Sequence, residues 1–561
     1  MKSTFVLSLV LLATPSLFAQ NCPKPQASAD LNINNLQARI LTGGDLFTDG
    51  DNGKMIYLPD PSHPSTLFNA SLWMGAVDQG GNLKISAMTY RGGSTDFSPG
   101  PLDYQTGAPL ATGCTDWDKL FVVHQTEIIS FIDIGPNLST AEKIQQFPSI
   151  MGWPARGNPF FATIHGFSMP NTFQGMAPFL DNDGNGQYDP LTGDLPAMQL
   201  KGQYPFIPGQ LIWCVMNDLA SNGFQSNGTA PLGIEVQLSA WAFNCSGAHV
   251  LENTVFTSHK IIYRGTEILD SCYLGLFTDF DLGCNVDDYI GCDHLLDAQY
   301  CYNADMIDGH PGNSCLGGTP FSVSPPVQTV TYLDQELDKF ISMDESSGTP
   351  ATSLPEEDYE FYRYLKGEWR DGTPLTKDGN GYNPGSTAYI DHAFPANPGS
   401  STGWSMCTAN LPLSDRRVVG SVKLGQMEPG KTTELTTAWS IKPDVILPCG
   451  IGPALENVKQ LKEIYKNNFT DCGNLLSPTH TLPVEQLRIS PNPANQEINL
   501  ILGNTVADEL RIIAADGRVV RTLYHLSGDQ TIAVNDLATG WYLVQVITPE
   551  KIMNGTIIIQ R

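Results

Sequence analysis

The sequence is poor in positive charge. Lys and Arg total 31 against 58 Asp and Glu, charged residues make up only 16% of the chain, and the formal net charge is −27. A field of that sign repels phosphate backbones, which excludes nucleic acid as a partner and favours cations. Long apolar runs are missing too. Beyond the first residues there is no stretch of about 18 apolar residues, so no transmembrane segment is expected in the mature chain. There is no HExxH, no GxGxxG and no Cys/His protease signature. The zinc peptidases and dinucleotide-binding folds built on those motifs are thereby excluded. None of the 12 cysteines forms a CxxC pair, which argues against zinc knuckles and dithiol redox chemistry.

What is present points to an exported β protein. The chain has 561 residues and is 41% hydrophobic, enough to bury a sizeable core. Its 53 glycines and 40 prolines lack a triplet period and fit many turns between short strands. Lys2, the apolar run Phe5 to Leu12, Pro15 and a cut after Ala19 read as a signal peptide over 1–19. Export and an even number of cysteines favour disulfides. Five of them, Cys272, Cys284, Cys292, Cys301 and Cys315, crowd one segment. They are expected to contribute at least two pairs that staple a loop-rich stretch.

The strand signals have period two. Ile234, Val236, Leu238, Ala240 and Ala242 alternate with Glu235, Gln237 and Ser239, as a half-buried strand requires. Further strands are expected over 253–264 and 268–277, and a hairpin over 418–424 and 432–441 around Glu428-Pro429-Gly430. Helices are few. Ser353 and Glu356 have capping-box form before 354–366, Ser139 and Glu142 have it again, and Pro453 opens a helix reaching about Asn468. Residues 474–485 carry two prolines and no period, a linker. About seven short strands follow over 486–561. The expected fold class is mainly β: a body over 20–473 of one or two sandwich-like subdomains with a few short helices, then a small immunoglobulin-like C-terminal β-sandwich.

Two acidic groupings suggest a cation. In Asp181-Asn182-Asp183-Gly184-Asn185-Gly186-Gln187-Tyr188-Asp189, oxygen side chains stand at loop positions 1, 3, 5 and 9, with Gly at 6. Alternate residues around a tight turn deliver the converging oxygens that calcium needs. Gln187 adds its backbone carbonyl. Thr192 stands where a closing Glu would be, and Asp194 closes the loop instead. The ligand set is then Asp181, Asp183, Asn185, Gln187, Asp189 and Asp194; the competing reading is a solvated Asx- and Gly-rich turn. The second, weaker cluster is Asp279, Asp281, Asp287, Asp288 and Asp293. It reads as a further calcium loop, a solvated loop, or the acidic pair of a glycosidase. Lys377-Asp378-Gly379-Asn380-Gly381 is a turn or a still weaker calcium signal. Trp73, Trp213, Trp241, Trp369 and Trp439 sit in strand- and helix-like runs and read as core rather than a sugar platform.

The tail carries Ser490-Pro491-Asn492-Pro493-Ala494, Asp516-Gly517-Arg518-Val519-Val520, Leu537-Ala538-Thr539-Gly540-Trp541-Tyr542-Leu543-Val544-Gln545-Val546 and a terminal Ile557-Ile558-Ile559-Gln560-Arg561. In that order and spacing they resemble the type A C-terminal sorting domain of the type IX (Por) secretion system of Bacteroidota. The resemblance implies periplasmic passage, recognition by an outer-membrane translocon, and removal by a sortase-like peptidase. The passenger is then released or fixed to surface polysaccharide. Pro491, Asn492, Pro493, Gly517, Gly540, Tyr542 and Arg561 are the motif residues.

The body resembles a recurrent Bacteroidota surface-protein region without an assigned activity. That likeness rests on Leu72-Trp73-Met74-Gly75, Asp96-Phe97-Ser98-Pro99-Gly100-Pro101, the Asp181–Asp189 run, Asp287-Asp288-Tyr289-Ile290-Gly291-Cys292-Asp293, Trp369-Arg370-Asp371-Gly372 and Asp415-Arg416-Arg417. The expected function is a secreted or surface-held, calcium-stabilised, non-enzymatic adhesion or matrix-binding protein. The alternative is a secreted glycan hydrolase that uses an acidic pair in the body.

Overall fold

The computed structural model describes residues 22–561 apart from 92–94, 171, 173, 202, 221–229, 246–249, 310–314, 316, 317, 322, 323, 345–347, 444, 446, 447, 471–483, 504, 505, 515–518 and 549–551. The expected signal peptide and nearly all of the expected linker lie outside the described residues. The chain divides into two compact units, Met1–Cys472 and Gly473–Arg561.

The body is built on two antiparallel sheets. The first runs in the order Ser28–Leu31, Leu36–Leu41, Asp45–Leu46, Asn69–Val77, Leu269–Asp279, Arg416–Met427, Lys339–Asp344. The second runs Asp288–Asp293, Ala298–Asn303, Val327–Tyr332, Thr432–Lys442, Thr254–Tyr263, Ile234–Ala242, Gln210–Asn217, Ser98–Pro99. One apolar core joins Leu72, Leu274, Leu276 and Val418 of the first to Ile234, Val236, Leu238 and Ile261 of the second.

Both sheets also have covered outer faces, which changes the reading of Ile234–Ala242. All nine of its residues are buried, not one face only. Opposite the core, Glu235 pairs with Arg264 at 3.2 Å. The Gln237 amide donates to the Gly175 carbonyl at 3.1 Å. Trp241 stacks on Phe256 and meets Phe469 edge-on. On the first sheet, the helix Asp358–Leu365 lies so close that a Cβ on Gly75 would come within 2.7 Å of Tyr362, and one on Gly275 within 2.8 Å of Leu365.

The expected hairpin around Glu428-Pro429-Gly430 is instead a corner. Arg416–Met427 belongs to the first sheet and Thr432–Lys442 to the second. Thr254–Tyr263 and Leu269–Asp279 change sheets in the same way. The two corners nest: Gly430 N–H donates to the Tyr263 carbonyl at 2.9 Å, and Tyr263 N–H to that of Lys431 at 3.0 Å. Pairing each strand with its counterpart from the other corner satisfies both ladders without any local hairpin.

The helix Thr140–Gln146 starts at the Ser139–Glu142 capping box, as expected. The helix expected over 354–366 begins later, at Asp358, because Glu360 reaches back to the backbone N–H groups of Glu356 and Glu357 and makes Glu357 the N-cap. Gly452–Lys466 has Pro453 in its first turn. All five tryptophans singled out above are fully buried.

Disulfides join Cys22 to Cys114, Cys284 to Cys315 and Cys407 to Cys449, and Cys245 is also bonded. Only one described pair falls in the crowded segment, not two. Cys272, Cys292 and Cys301, like Cys214, are buried free thiols. They sit on paired strands out of register, Cys301 opposite Ile290 and Cys292 opposite Gln299, so their side chains pack as small apolar groups.

In the tail, a five-stranded sheet runs Val484–Gln486, Ile552–Ile559, Gly540–Ile547, Val506–Ala514, Val519–Ser527. A three-stranded sheet runs Ile489–Ser490, Glu497–Leu500, Gln530–Ala533. Ile498, Leu500 and Ile532 of the smaller sheet share one core with Leu510, Val544 and Ile557 of the larger.

Candidate functional site

The Asp181 loop is the tip of a hairpin. Phe179–Leu180 pairs with Leu195–Pro196, Leu180 opposite Leu195. That register sets Asp181 and Asp194 at the mouth, each one residue beyond a strand end on the loop side. Tyr188 anchors the tip: it is buried, donates to the Ile150 carbonyl at 2.7 Å and meets Phe179 edge-on. Gly184 and Gly186 take φ of 73° and 72°, which lets the chain turn back twice.

Asp181, Asp183 and Asp194 each bring a carboxylate oxygen within 4.8 Å of the others. Asp194 is buried and accepts from Asn182 N–H and Asp189 N–H, both at 2.8 Å. Burial, and then the charges of Asp181 and Asp183, raise its carboxyl above the ordinary range despite those donors. Asn185 joins through its amide, which donates to Asp183 at 2.7 Å. The Asp189 carboxylate stands apart from the set, accepting from Leu191 N–H at 2.9 Å. The Gln187 side chain, which is not the group expected to ligate, packs at Gly157. The three converging carboxylates suit a hard cation, whereas Asn185 turns its NH2 to Asp183 and its amide oxygen accepts from Gln187 N–H at 2.7 Å.

The five acids of the second expected cluster do not form one group. Asp279 and Asp281 meet Asp415, which comes from the far side of the chain. Asp279 ends Leu269–Asp279, and its cross-strand partner is Arg417. The Tyr90 hydroxyl donates to Asp279 at 2.6 Å, and Arg417 pairs with Asp279 at 3.3 Å and Asp415 at 2.9 Å. Burial, then Asp279 and Asp415, push the Asp281 carboxyl well up, and burial with Asp279 pushes Asp415 up to about 6.

Asp287 meets Asp308 and Cys284 instead. Because Cys284 is in a disulfide, no thiolate is offered there. Asp308 accepts from the Cys284 and Phe321 N–H groups at 2.9 and 2.6 Å, and burial pushes it up to about 7. Asp288 is buried and accepts from Leu282 N–H at 2.8 Å, while Asp293 holds the turn at Leu295 and Leu296. Asp308, Asp415, Arg417 and Tyr90 were missed as site residues. Only the Asp415-Arg416-Arg417 run carried a hint. The Asp378–Gly381 signal is a turn held by indoles: Trp404 donates to the Gly379 carbonyl at 3.0 Å and Trp369 to that of Gly381 at 3.1 Å.

The body's grooves differ in lining. One of about 310 Å³ is lined by Trp213, Gln237, Ser239, Lys260 and Glu434. Another of about 470 Å³ lies at Asp344, Trp369, Asn380 and Arg416. A wide one of about 530 Å³ holds Asp297, Asp334, Glu336 and Asp338. Three of its acids are occupied by the backbone: Asp297 accepts from Leu337 N–H, Asp334 from Thr436 N–H and Asp338 from Lys423 N–H, at 3.0, 2.8 and 2.7 Å.

In the tail, motif residues gather on the last strand. Asn492 donates to the Thr556 carbonyl at 2.8 Å and accepts from Ile558 N–H at 2.9 Å, so its side chain behaves as a short ladder segment. It lies between cis peptide bonds at Pro491 and Pro493. Gly540 faces Ile559 across the ladder. Tyr542 is buried and donates to the Ala538 carbonyl at 2.9 Å, and Arg561 caps the preceding turn at Leu537 at 2.7 Å. Gly517 lies outside the described residues. Residues 488–560 match the family model of the secretion system C-terminal sorting domain. The chain carries a type IX sorting domain. Such a domain engages the type IX machinery and directs its chain to secretion or to attachment at the outer surface. Among the described residues no helix is long and apolar enough to cross a membrane.

No curated protein matches the chain. Among solved structures, a polysaccharide lyase aligns at 8% identity and a TM-score of 0.17, over 58% of this chain and 34% of its own. The match therefore spans about a third of that protein's length. The CBM51-2 and INT domains of Clostridium perfringens ZmpB align at 9% identity and a TM-score of 0.10, over 58% of this chain and 92% of theirs. Neither likeness carries an argument at such scores.

Proposed function

We propose that the body is a calcium-stabilised, non-enzymatic binding module that the sorting domain delivers to the cell exterior, where it contacts surface polysaccharide or matrix. The observation that carries this reading is the hairpin mouth, where three carboxylates converge on one point. Calcium at extracellular concentrations suits such a loop. The widest groove supports binding over catalysis, since three of its four acids are held by backbone donors. The glycan-hydrolase alternative needs two carboxyls about 5 to 9 Å apart across a substrate. Asp279, Asp281 and Asp415 stand closer than that and are tied to Arg417, which disfavours them for the role.

At millimolar calcium and an affinity of roughly 10⁻⁴ to 10⁻³ M, the ion adds about 1 kcal/mol, a few degrees of melting temperature at most. Chelation should remove that increment, magnesium should restore it poorly, and Asp183→Ala should abolish most of it. The purified body should be retained on surface polysaccharide or matrix without degrading it. A melting curve indifferent to chelator contradicts the calcium role, and turnover in a glycan screen contradicts the binding role.

A further inference from the structure

We infer that Asp279, Asp281 and Asp415, with the amide oxygen of Asn285, form a second divalent-cation site, for a hard ion of the calcium class. It lies where Leu269–Asp279 ends and Arg416–Met427 begins. It involves no residue of the hairpin and stands whether or not the hairpin binds.

Arg417 occupies Oδ2 of both Asp279 and Asp415, at 3.3 and 2.9 Å, and the Tyr90 hydroxyl also donates to Oδ2 of Asp279. The Asn285 amide donates to Oδ2 of Asp415 at 3.2 Å. All donors therefore lie on one side. Oδ1 of Asp279, Oδ1 of Asp415 and Oδ1 of Asn285 are each buried and accept no hydrogen bond among the described residues. Asp279 is 1% exposed, so water does not replace the missing donor freely. Asp281 brings a third carboxylate within 4.8 Å of the other two.

The charge account agrees. Three carboxylates against one guanidinium leave two negative charges in a largely buried place, which a divalent ion cancels and which otherwise forces protonation. Four protein oxygens leave room for water in a calcium shell of six to eight. Asp281 and Asp415 are only partly buried, so an ion can enter from solvent. The backbone at Asp281 has φ of 33°, a conformation Asn tolerates, which makes Asp281→Asn a mild probe.

The test is a titration of chelator-stripped full chain with calcium alone, comparing Asp183→Ala, Asp281→Asn and the double variant, with a melting curve for each. Asp183→Ala should still bind one calcium. Adding Asp281→Asn should weaken that remaining site about tenfold to a hundredfold, as expected for the loss of one charged ligand. Asp415→Asn in the same background should do likewise and serves if Asp281→Asn does not fold. No binding by Asp183→Ala overturns this site while leaving the hairpin standing. Unchanged binding on adding Asp281→Asn also overturns it and points to a shared proton.

Discussion

Asp218 illustrates how burial governs this acidic chain residue by residue. Its carboxylate is fully buried and accepts from the N–H groups of Leu232, Gly233 and Ile234 and from the Ser86 hydroxyl. Burial outweighs these donors and pushes it from 3.8 up to about 6. A carboxyl raised on folding adds stability that is full below its unfolded value and is lost as pH rises through its folded one. About two pH units correspond to roughly 3 kcal/mol. Asp218→Asn removes that titration and leaves a backbone donor unpaired, at a cost of about 1–3 kcal/mol. Denaturant unfolding should find the gap between wild type and variant narrowing from pH 4 to pH 7; a constant gap contradicts the assignment. Nothing in the sequence marks Asp218, since its partners gather from two strands and a loop. Asp181 and Asp183 are legible because a calcium-type loop is local: its oxygens lie within a few residues of one turn. Asp415 reaches Asp279 only through the register of Arg417, and spacing holds no trace of that.

At the scale of elements, local chemistry was readable and partner choice was not. The Ser139–Glu142 box closes within one helical turn, so two residues suffice to announce it. Glu428-Pro429-Gly430 announces a chain reversal equally well, but a reversal does not say whether the next strand lies alongside or crosses to the other sheet. The cysteines follow the same logic. Export favours disulfides, yet Cys214, Cys272, Cys292 and Cys301 lie on strands whose register offers them no partner and whose packing uses them as core. Alkylation of unreduced protein should leave these four unlabelled in the native state and label them on denaturation. Mass spectrometry that finds any of them paired contradicts the strand register described here.

The whole molecule is two compact units with separate cores, and the division of labour follows them. The tail's motif residues spend their hydrogen bonds within the tail, Asn492 on its last strand and Tyr542 and Arg561 on the turn at Leu537 and Ala538, which makes it a small rigid object for the export machinery to recognise. The body gathers acids at the Asp181 hairpin mouth and where Leu269–Asp279 ends, and the proposed cation would relieve there the repulsion of a chain at −27. The export route was legible because its motifs are local and ordered; the body's partner was not, because grooves are assembled from strands distant in sequence. The most direct measurement is to remove residues 486–561 and fractionate the cells. The account predicts that the body then accumulates in the periplasm, folded, with the melting temperature and calcium response it has in the full chain. A truncated body that still reaches the outer surface or the medium would contradict it.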